Sequence, residues 1–179
     1  MYSFKILVLG PFNAGKTTLV QTLSEISMTT EREITRPEEK AKKTKTTVAM
    51  DFGLVNLGDG YVVRLFGTPG QRRFSFMWRI LSKGIHGYIL MIDSTDEESI
   101  MEAIRIHESF RQEHRDVPYV VAANKQDLPG AMSALDIRLA LDVPDEVPVI
   151  PTIATNHQSA WTVLSTLLER CITKWKIVI

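Results

Sequence analysis

The amino-acid sequence predicts an α/β fold: a three-layer sandwich around a mostly parallel six-stranded sheet, with one antiparallel edge hairpin and about five helices. Three observations predict it. Short β-branched runs alternate along the chain with amphipathic stretches at helical spacing. Four of the runs are almost continuously apolar, as in parallel strands that are buried on both faces. The length of 179 residues suits one domain, which we expect to span 1–179.

The predicted elements follow one another in the order that this architecture requires. Strands are expected at 4–9, 48–57, 61–66, 87–93, 119–124 and 147–153. Helices are expected at about 15–27, 73–83, 97–113, 133–141 and 158–175. Gly58-Asp59-Gly60 is a tight-turn signal between the second and third strands, so these two are expected to form the hairpin. Cys171 falls on the apolar stripe of the last helix, where we expect it to pack in the core.

The composition excludes several classes of protein. Lys plus Arg and Asp plus Glu both total 21, so the chain lacks the basic excess of a nucleic-acid binder held by bulk charge. A single cysteine excludes an intramolecular disulfide framework and a multi-thiolate zinc site. Tyr2 stands where myristoylation requires glycine, and Cys171 lies too far from the last residue for prenylation, so no lipid anchor is expected. We expect a cytoplasmic protein.

A phosphate-binding loop is the strongest local signal. The segment Gly10 to Thr17 reads GPFNAGKT, which fits G-x-x-x-x-G-K-[ST] and lies between a predicted strand and a predicted helix. Backbone N–H groups of such a loop wrap phosphates, and the helix adds its positive N-terminal end. Lys16 is expected to reach the β- and γ-phosphates, and the Thr17 hydroxyl to ligate Mg²⁺. The expected nucleotide contacts here are Asn13, Ala14, Gly15, Lys16, Thr17 and Thr18.

A second motif predicts which base is bound. Asn124-Lys125-Gln126-Asp127 follows an apolar run at the end of a predicted strand, about 110 residues after the phosphate loop. The Asp127 carboxylate can accept two hydrogen bonds from the guanine ring N–H and exocyclic amine, an arrangement that adenine does not offer. The stem of Lys125 would cover one face of the base, and Asn124 would brace the loop. Without the phosphate loop the same four residues would indicate only a strand-to-turn transition.

Four further segments carry a resemblance to a known family. They are Thr47 to Phe52 (TVAMDF), Leu65 to Phe74 (LFGTPGQRRF), Ala123 to Ala131 (AANKQDLPGA) and Thr152 to Thr155 (TIAT). They resemble four segments of one protein family: in turn T-I-G-V-D-F, D-T-A-G-Q-E-R-F, the Arf form of the guanine motif, and the S-A-K loop. The chain thus resembles the Ras-like small GTPases, which are P-loop NTPase sandwiches, and its GTPGQ segment (67–71) is most similar to that of the prokaryotic members. The resemblance implies that the N–H of Ala154, with Thr155 beside it, reads the guanine carbonyl.

The resemblance also implies the residues that act at the γ-phosphate. Thr47 would be the switch threonine that closes on Mg²⁺ and the γ-phosphate, with Thr44 and Thr46 as nearby alternatives. Gly70 would donate its backbone N–H to the γ-phosphate, and Gln71 would orient the attacking water. The implied catalytic residues are therefore Gln71, Lys16 and Gly70, and the implied metal ligands are Thr17 and Thr47.

One position departs from the family pattern. The aspartate of D-x-x-G, which holds Mg²⁺ through water, is here Gly67. We expect Mg²⁺ to depend more on Thr17, Thr47 and the phosphates, and Gly67→Asp to tighten the Mg²⁺-dependent nucleotide affinity. Asp93, at the end of the fourth predicted strand, is the nearest substitute in topology, although an Asp there is also an ordinary turn residue.

The resemblance implies a GTP-binding molecular switch that slowly hydrolyses GTP to GDP and phosphate. Loops 28–47 and 67–80 would change conformation to control partner binding, although the charged segment 28–46 also suits a solvated connector. Thr44 stands where some relatives carry an arginine that speeds hydrolysis, and Arg72 and Arg73 are the alternative cations.

The expected partners are a GTPase-activating protein, an exchange protein and an unknown effector, without nucleic acid. A guanine-nucleotide-binding module with little hydrolysis is the alternative function. A P-loop kinase is disfavoured because it gives no reason for the base motif. Phe76, Met77 and Trp78 leave open a monomer or a dimer mediated by the switch regions.

Overall fold

The computed structural model describes residues 2–33, 45–71 and 75–177, and for 28–33 and 45–49 it describes the backbone alone. The described strands are Tyr2–Leu9 (β1), Ile26–Glu33 (β2), Lys45–Gly58 (β3), Tyr61–Gly67 (β4), Gly87–Asp93 (β5), Tyr119–Asn124 (β6) and Val149–Pro151 (β7). The described helices are Lys16–Leu23 (α1), Phe76–Leu81 (α2), Glu97–Glu113 (α3), Ala134–Leu141 (α4) and His157–Trp175 (α5).

The strands form one sheet in the order β2-β3-β4-β1-β5-β6-β7. Strands β4, β1, β5, β6 and β7 run parallel, whereas β2, β3 and β4 pair antiparallel. The predicted hairpin is therefore the β3–β4 pair, joined by the turn at 58–60. The carboxyl ends of β1, β5 and β6 meet at one edge of the sheet, which is where ligands bind in open α/β folds.

Two apolar cores on opposite faces of the sheet make the three layers. Along β1, Ile6 and Val8 contribute to one core together with residues of α1 and α5, and Leu7 and Leu9 contribute to the other together with residues of α3 and α4. This alternation explains why the run is continuously apolar. Cys171 is fully buried in the first core, as predicted, and burial raises the pKa of its thiol to about 12.

The boundaries differ most after the first helix. The predicted helix 15–27 is α1, which ends at Leu23 because Ser24 takes an extended conformation. The chain then enters β2, a strand missing from the prediction, and the sheet has seven strands rather than six. β2 forms because its backbone groups pair with β3, an interaction that no local pattern encodes. Its pairing includes Glu31 opposite Thr47.

Smaller differences concern the ends of other elements. The helix predicted at 73–83 is the shorter α2, and the strand predicted at 147–153 is the shorter β7. Part of the predicted first switch loop, 34–44, lies outside the described residues, as do 72–74. Among the described helices, none combines the length and the hydrophobicity that a membrane span requires.

Candidate nucleotide-binding site

The predicted phosphate loop connects β1 to α1. Gly15 immediately precedes the helix with a φ of 102°, in the left-handed region that favours glycine. A Cβ at this position would lie 2.3 Å from Nδ2 of Asn124, so glycine is also required by close approach. The loop therefore packs directly against the end of β6, which carries the predicted base motif.

Lys16 begins α1 and is almost fully buried, with 6% of its surface exposed. Its ammonium group donates hydrogen bonds to the carbonyl oxygens of Gly10 at 2.9 Å and of Pro11 at 2.5 Å. These contacts keep the positive charge inside the curve of the loop, and Asn13 takes a positive φ of 63° there. The arrangement presents a cation where phosphate oxygens would be held.

The segment after β4 packs on the phosphate loop. A Cβ at Gly70 would lie 2.6 Å from the backbone N and Cα of Phe12 and 2.7 Å from Nζ of Lys16. Only glycine can approach so closely, so the backbone at 70 lies beside the lysine that would contact phosphate. Gln71 follows with 5% of its surface exposed. Of the predicted γ-phosphate residues, Gly70 therefore lies at the phosphate loop.

Thr17 contacts an aspartate that the sequence reasoning did not select. Its hydroxyl donates a 2.6 Å hydrogen bond to Oδ2 of Asp51, a fully buried residue of β3. Asp51 pairs directly with Gly67 of β4. The signal was present in the sequence: Asp51 lies in the segment that resembles T-I-G-V-D-F, and the expected hairpin places that segment beside position 67.

Asn124 ends β6 and joins three segments. Its side-chain amide donates to the carbonyl oxygen of Ala14 at 2.9 Å, and its side-chain carbonyl accepts from the N–H of Ala154 at 2.9 Å. The residue is 3% exposed, and Ala14 and Ala154 are buried as well. Asn124 thus holds the phosphate loop and the loop after β7 against the end of its own strand. The N–H that the family resemblance assigns to the guanine carbonyl donates to Asn124 in this structure.

The remaining residues of the base motif lie at the same edge. Lys125 has a φ of 66° and forms a 2.5 Å ion pair with Asp93, whose other carboxylate oxygen accepts hydrogen bonds from Thr95. Asp127 and Thr155 are exposed. Asp93 therefore serves the base motif, and the structure gives no support to its alternative role as the substitute metal-site carboxylate.

Some predicted residues are not placed by the structure. The backbone of Thr47 lies near the start of β3, but its side chain is not among the described ones. The same holds for Thr46, while Thr44, Arg72 and Arg73 lie outside the described residues. The choice among the three threonines therefore stays open.

The chain is similar in sequence to ADP-ribosylation factors. A family profile described as "Arf: ADP-ribosylation factor family" matches residues 1–170. ADP-ribosylation factor-like protein 3 of Chlamydomonas reinhardtii is 34% identical over 142 residues, which are 78% of this chain and 72% of that protein. ADP-ribosylation factor-related protein 1 of Homo sapiens is 35% identical over 142 residues. These are 75% of this chain and 65% of that protein, so the match spans just under two thirds of this relative.

The backbone is similar to a solved small GTPase. The structure of the Arl6 (BBS3) small GTPase from Trypanosoma brucei, with bound nucleotide analogue GppNp, superposes with a TM-score of 0.76 at 19% identity. The match covers 96% of this chain and 99% of that one. At this identity the likeness concerns the fold, and it confirms the α/β P-loop sandwich that the sequence predicted.

Proposed function

The chain belongs to the ADP-ribosylation factor (Arf) family of small GTPases, and we propose that it uses Mg²⁺ and guanine nucleotide to control the binding of partner proteins. Arf-family proteins are GTP-binding molecular switches and GTPases. The predicted Ras-like resemblance, guanine-nucleotide binding and GTP-hydrolysing switch function are thereby confirmed. The metal, the role of each residue and the partners are our proposal.

The observation that carries the residue assignments is the position of Asn124 between the phosphate loop and the loop after β7. Because one side chain holds both loops, a ligand that spans them would meet a preorganised site. The phosphates would lie on the loop 13–18 with Lys16, and the base would lie between Lys125 and the loop 154–155. Asp127, exposed at this end, would accept the guanine N–H and amine.

The residues around Thr17 fit Mg²⁺. The hydroxyl of Thr17 is hydrogen-bonded to the buried carboxylate of Asp51. Mg²⁺ prefers hard oxygen donors of this kind in proteins. Thr17 would ligate the metal from α1, and Thr47 would complete the protein ligands from the first switch segment. When bound, Mg²⁺ neutralises charge on the β- and γ-phosphates.

Hydrolysis and switching would depend on the segment after β4. The Gly70 N–H would bond to the γ-phosphate from its position beside the phosphate loop, and Gln71, the next residue, would orient the attacking water. Contacts with the γ-phosphate would hold 28–47 and 67–80 in one arrangement, and their loss would release them. We expect slow hydrolysis in the isolated protein, since an activating partner typically supplies about 10³- to 10⁵-fold acceleration.

Partners would bind beside these segments. On α2, Phe76 is 61% exposed and Ile80 is 55% exposed, so the second switch segment, 67–80, itself presents an apolar surface. We propose that this surface is read by an effector, and that exchange and activating proteins act on the same region. A cytoplasmic location suits the single, buried thiol of Cys171.

Single-turnover cleavage of bound GTP tests this proposal. The protein is loaded with GTP, Mg²⁺ is added, and GDP and phosphate are followed by chromatography. We expect slow conversion that stops without Mg²⁺ and slows further in Gln71→Leu. No conversion beyond the uncatalysed rate would favour the second candidate, a guanine-nucleotide-binding module, which the absence of the family aspartate at Gly67 supports.

A further inference from the structure

We propose that Asp51 supplies the metal-site carboxylate of this chain, in place of the aspartate that the family's D-x-x-G segment carries at the position of Gly67. The inference rests on the proposed function, because it concerns the Mg²⁺ that would accompany the nucleotide. Asp51 acts here as a positioning residue for the Thr17 ligand and for water on the metal.

The pairing of β3 with β4 is the first observation. Asp51 and Gly67 are direct partners in this antiparallel pair, so side chains at the two positions project to the same face of the sheet. A Cβ at position 67 would lie 3.0 Å from Cβ and 3.0 Å from Oδ2 of Asp51. The Asp51 side chain therefore occupies the space that a side chain at 67 would need. A carboxylate on either strand, at position 51 of β3 or position 67 of β4, would occupy the same space. Glycine at position 67 leaves room for the aspartate at position 51.

The contact with Thr17 is the second observation. A hydroxyl has one donor and two acceptor lone pairs. Thr17 directs its donor to Oδ2 of Asp51 at 2.6 Å, and this contact orients the hydroxyl oxygen that would ligate the cation. Carboxylates that orient a metal ligand in this way typically change metal affinity by about 10- to 100-fold.

The third observation is that the Asp51 carboxylate is buried. Asp51 is fully buried, and a buried carboxylate is stable only with hydrogen bonds or a nearby cation. Asp93 is the other buried aspartate among the described residues, and its carboxylate is held by Lys125 and Thr95 instead. The carboxylate that touches the predicted metal ligand is therefore that of Asp51.

This geometry reverses one sequence-based expectation. Gly67→Asp was expected to tighten Mg²⁺ binding by restoring the family aspartate. With Asp51 in place, the new side chain would meet it at 3.0 Å and bring a second negative charge into the same space. We now expect the single variant to bind Mg²⁺ no more tightly than the original chain, and the transposed variant Asp51→Gly with Gly67→Asp to bind it normally.

The test measures nucleotide binding rather than hydrolysis. A fluorescent GDP analogue is titrated over a range of free Mg²⁺ and in EDTA, for the original chain, Asp51→Asn, Gly67→Asp and the transposed double variant. Asp59→Asn, an exposed aspartate in the β3–β4 turn, is the matched control. Circular dichroism checks the fold of each variant.

We expect Asp51→Asn to shift the Mg²⁺ midpoint upward by about 10- to 100-fold while the affinity in EDTA stays the same. The transposed variant should recover the original midpoint, and Asp59→Asn should not move it. The inference would be overturned if Asp51→Asn had the same Mg²⁺ midpoint as the original chain, or if Gly67→Asp alone had a lower one. If Asp51→Asn fails to fold, the transposed variant tests the proposal instead. An original Mg²⁺ midpoint in that variant would support it, and a higher midpoint would contradict it. An original chain that binds GDP without any Mg²⁺ dependence would instead contradict the metal in the proposed function.

Discussion

The side-chain amide of Asn124 donates a 2.9 Å hydrogen bond to the carbonyl oxygen of Ala14, 110 residues earlier in the chain. The carbonyl of the same side chain accepts from the N–H of Ala154. One buried residue therefore fixes the distance between the loop that would hold phosphates and the loop that would hold the base.

Asn124→Ala is expected to weaken both the fold and nucleotide binding. The substitution leaves a buried carbonyl at Ala14 and a buried N–H at Ala154 without this partner, and each such group costs about 1–3 kcal/mol. We expect the free energy of unfolding to fall by about 2 kcal/mol or more, and GDP to raise the melting temperature less than in the original chain. Thermal unfolding with and without GDP measures both effects.

Ser133→Ala is the control for this variant. Ser133 caps α4 by accepting a hydrogen bond from the N–H of Asp136, and losing such a cap costs about 1 kcal/mol. We expect this variant to be less stable but to keep the full stabilisation by GDP. Equal stabilisation by GDP in Asn124→Ala would show that Asn124 does not organise the site.

Asp127→Asn is expected to change the base that is preferred. An amide has one acceptor oxygen where the carboxylate has two, so its NH₂ group would face one of the two guanine donors, whereas it can donate to the additional carbonyl of xanthine. We expect GDP affinity to fall by about 100-fold or more and xanthosine diphosphate to bind more tightly than GDP. Competition binding with both nucleotides measures the ratio, with Asp145→Asn as an exposed control. An unchanged preference for GDP would remove Asp127 from the base site.

Lys16→Met is expected to abolish most phosphate binding. The ammonium group donates to two loop carbonyls, and a charged hydrogen bond to phosphate contributes about 1.5–3 kcal/mol. We expect a loss of about 100-fold in GTP affinity. Because the carbonyl groups of Gly10 and Pro11 also lose this donor, the melting temperature of the nucleotide-free protein should fall by a few degrees. Binding of GTP with its original affinity would show that the lysine does not face the phosphates.

The stability of the fold is expected to fall in mild acid because of His107. Burial on α3 lowers the pKa of this imidazole from 6.5 to about 4. Between pH 6.5 and pH 4, the unfolded chain therefore takes up a proton that the folded chain does not. The contribution of the neutral His107 to the free energy of unfolding is complete above pH 6.5 and is lost as the pH falls toward 4. Denaturant unfolding at several pH values measures this effect. Between pH 6.5 and pH 4, the free energy of unfolding should fall by about 2 kcal/mol less in His107→Leu than in the original chain. An identical decline in the variant would contradict this role.

The motif residues were predictable because each motif is local. Lys16 and Thr17 belong to one contiguous segment whose spacing fixes their chemistry, and a strand and a helix were expected on either side of it. Asn124 was expected to brace its loop, and it does so. Its two partners were not predicted, since a contact across 110 residues leaves no local pattern.

Asp51 and β2 show what local patterns do not encode. The role proposed for Asp51 depends on its being opposite Gly67, and this register follows from the β3–β4 pairing rather than from either segment alone. Local patterns predict the end of a helix and the start of a charged loop where β2 lies. It becomes a strand because the edge of β3 offers its backbone groups hydrogen bonds.

Calorimetric titration of the nucleotide-free protein with GTP, GDP and ATP in the presence of Mg²⁺ tests whether this site selects guanine nucleotides. We expect GTP and GDP each to bind at one site and ATP to bind at least about 100-fold more weakly, since the Asp127 carboxylate would face no matching donors on adenine. Equal affinity for ATP and GTP, or no binding of either, would contradict this expectation.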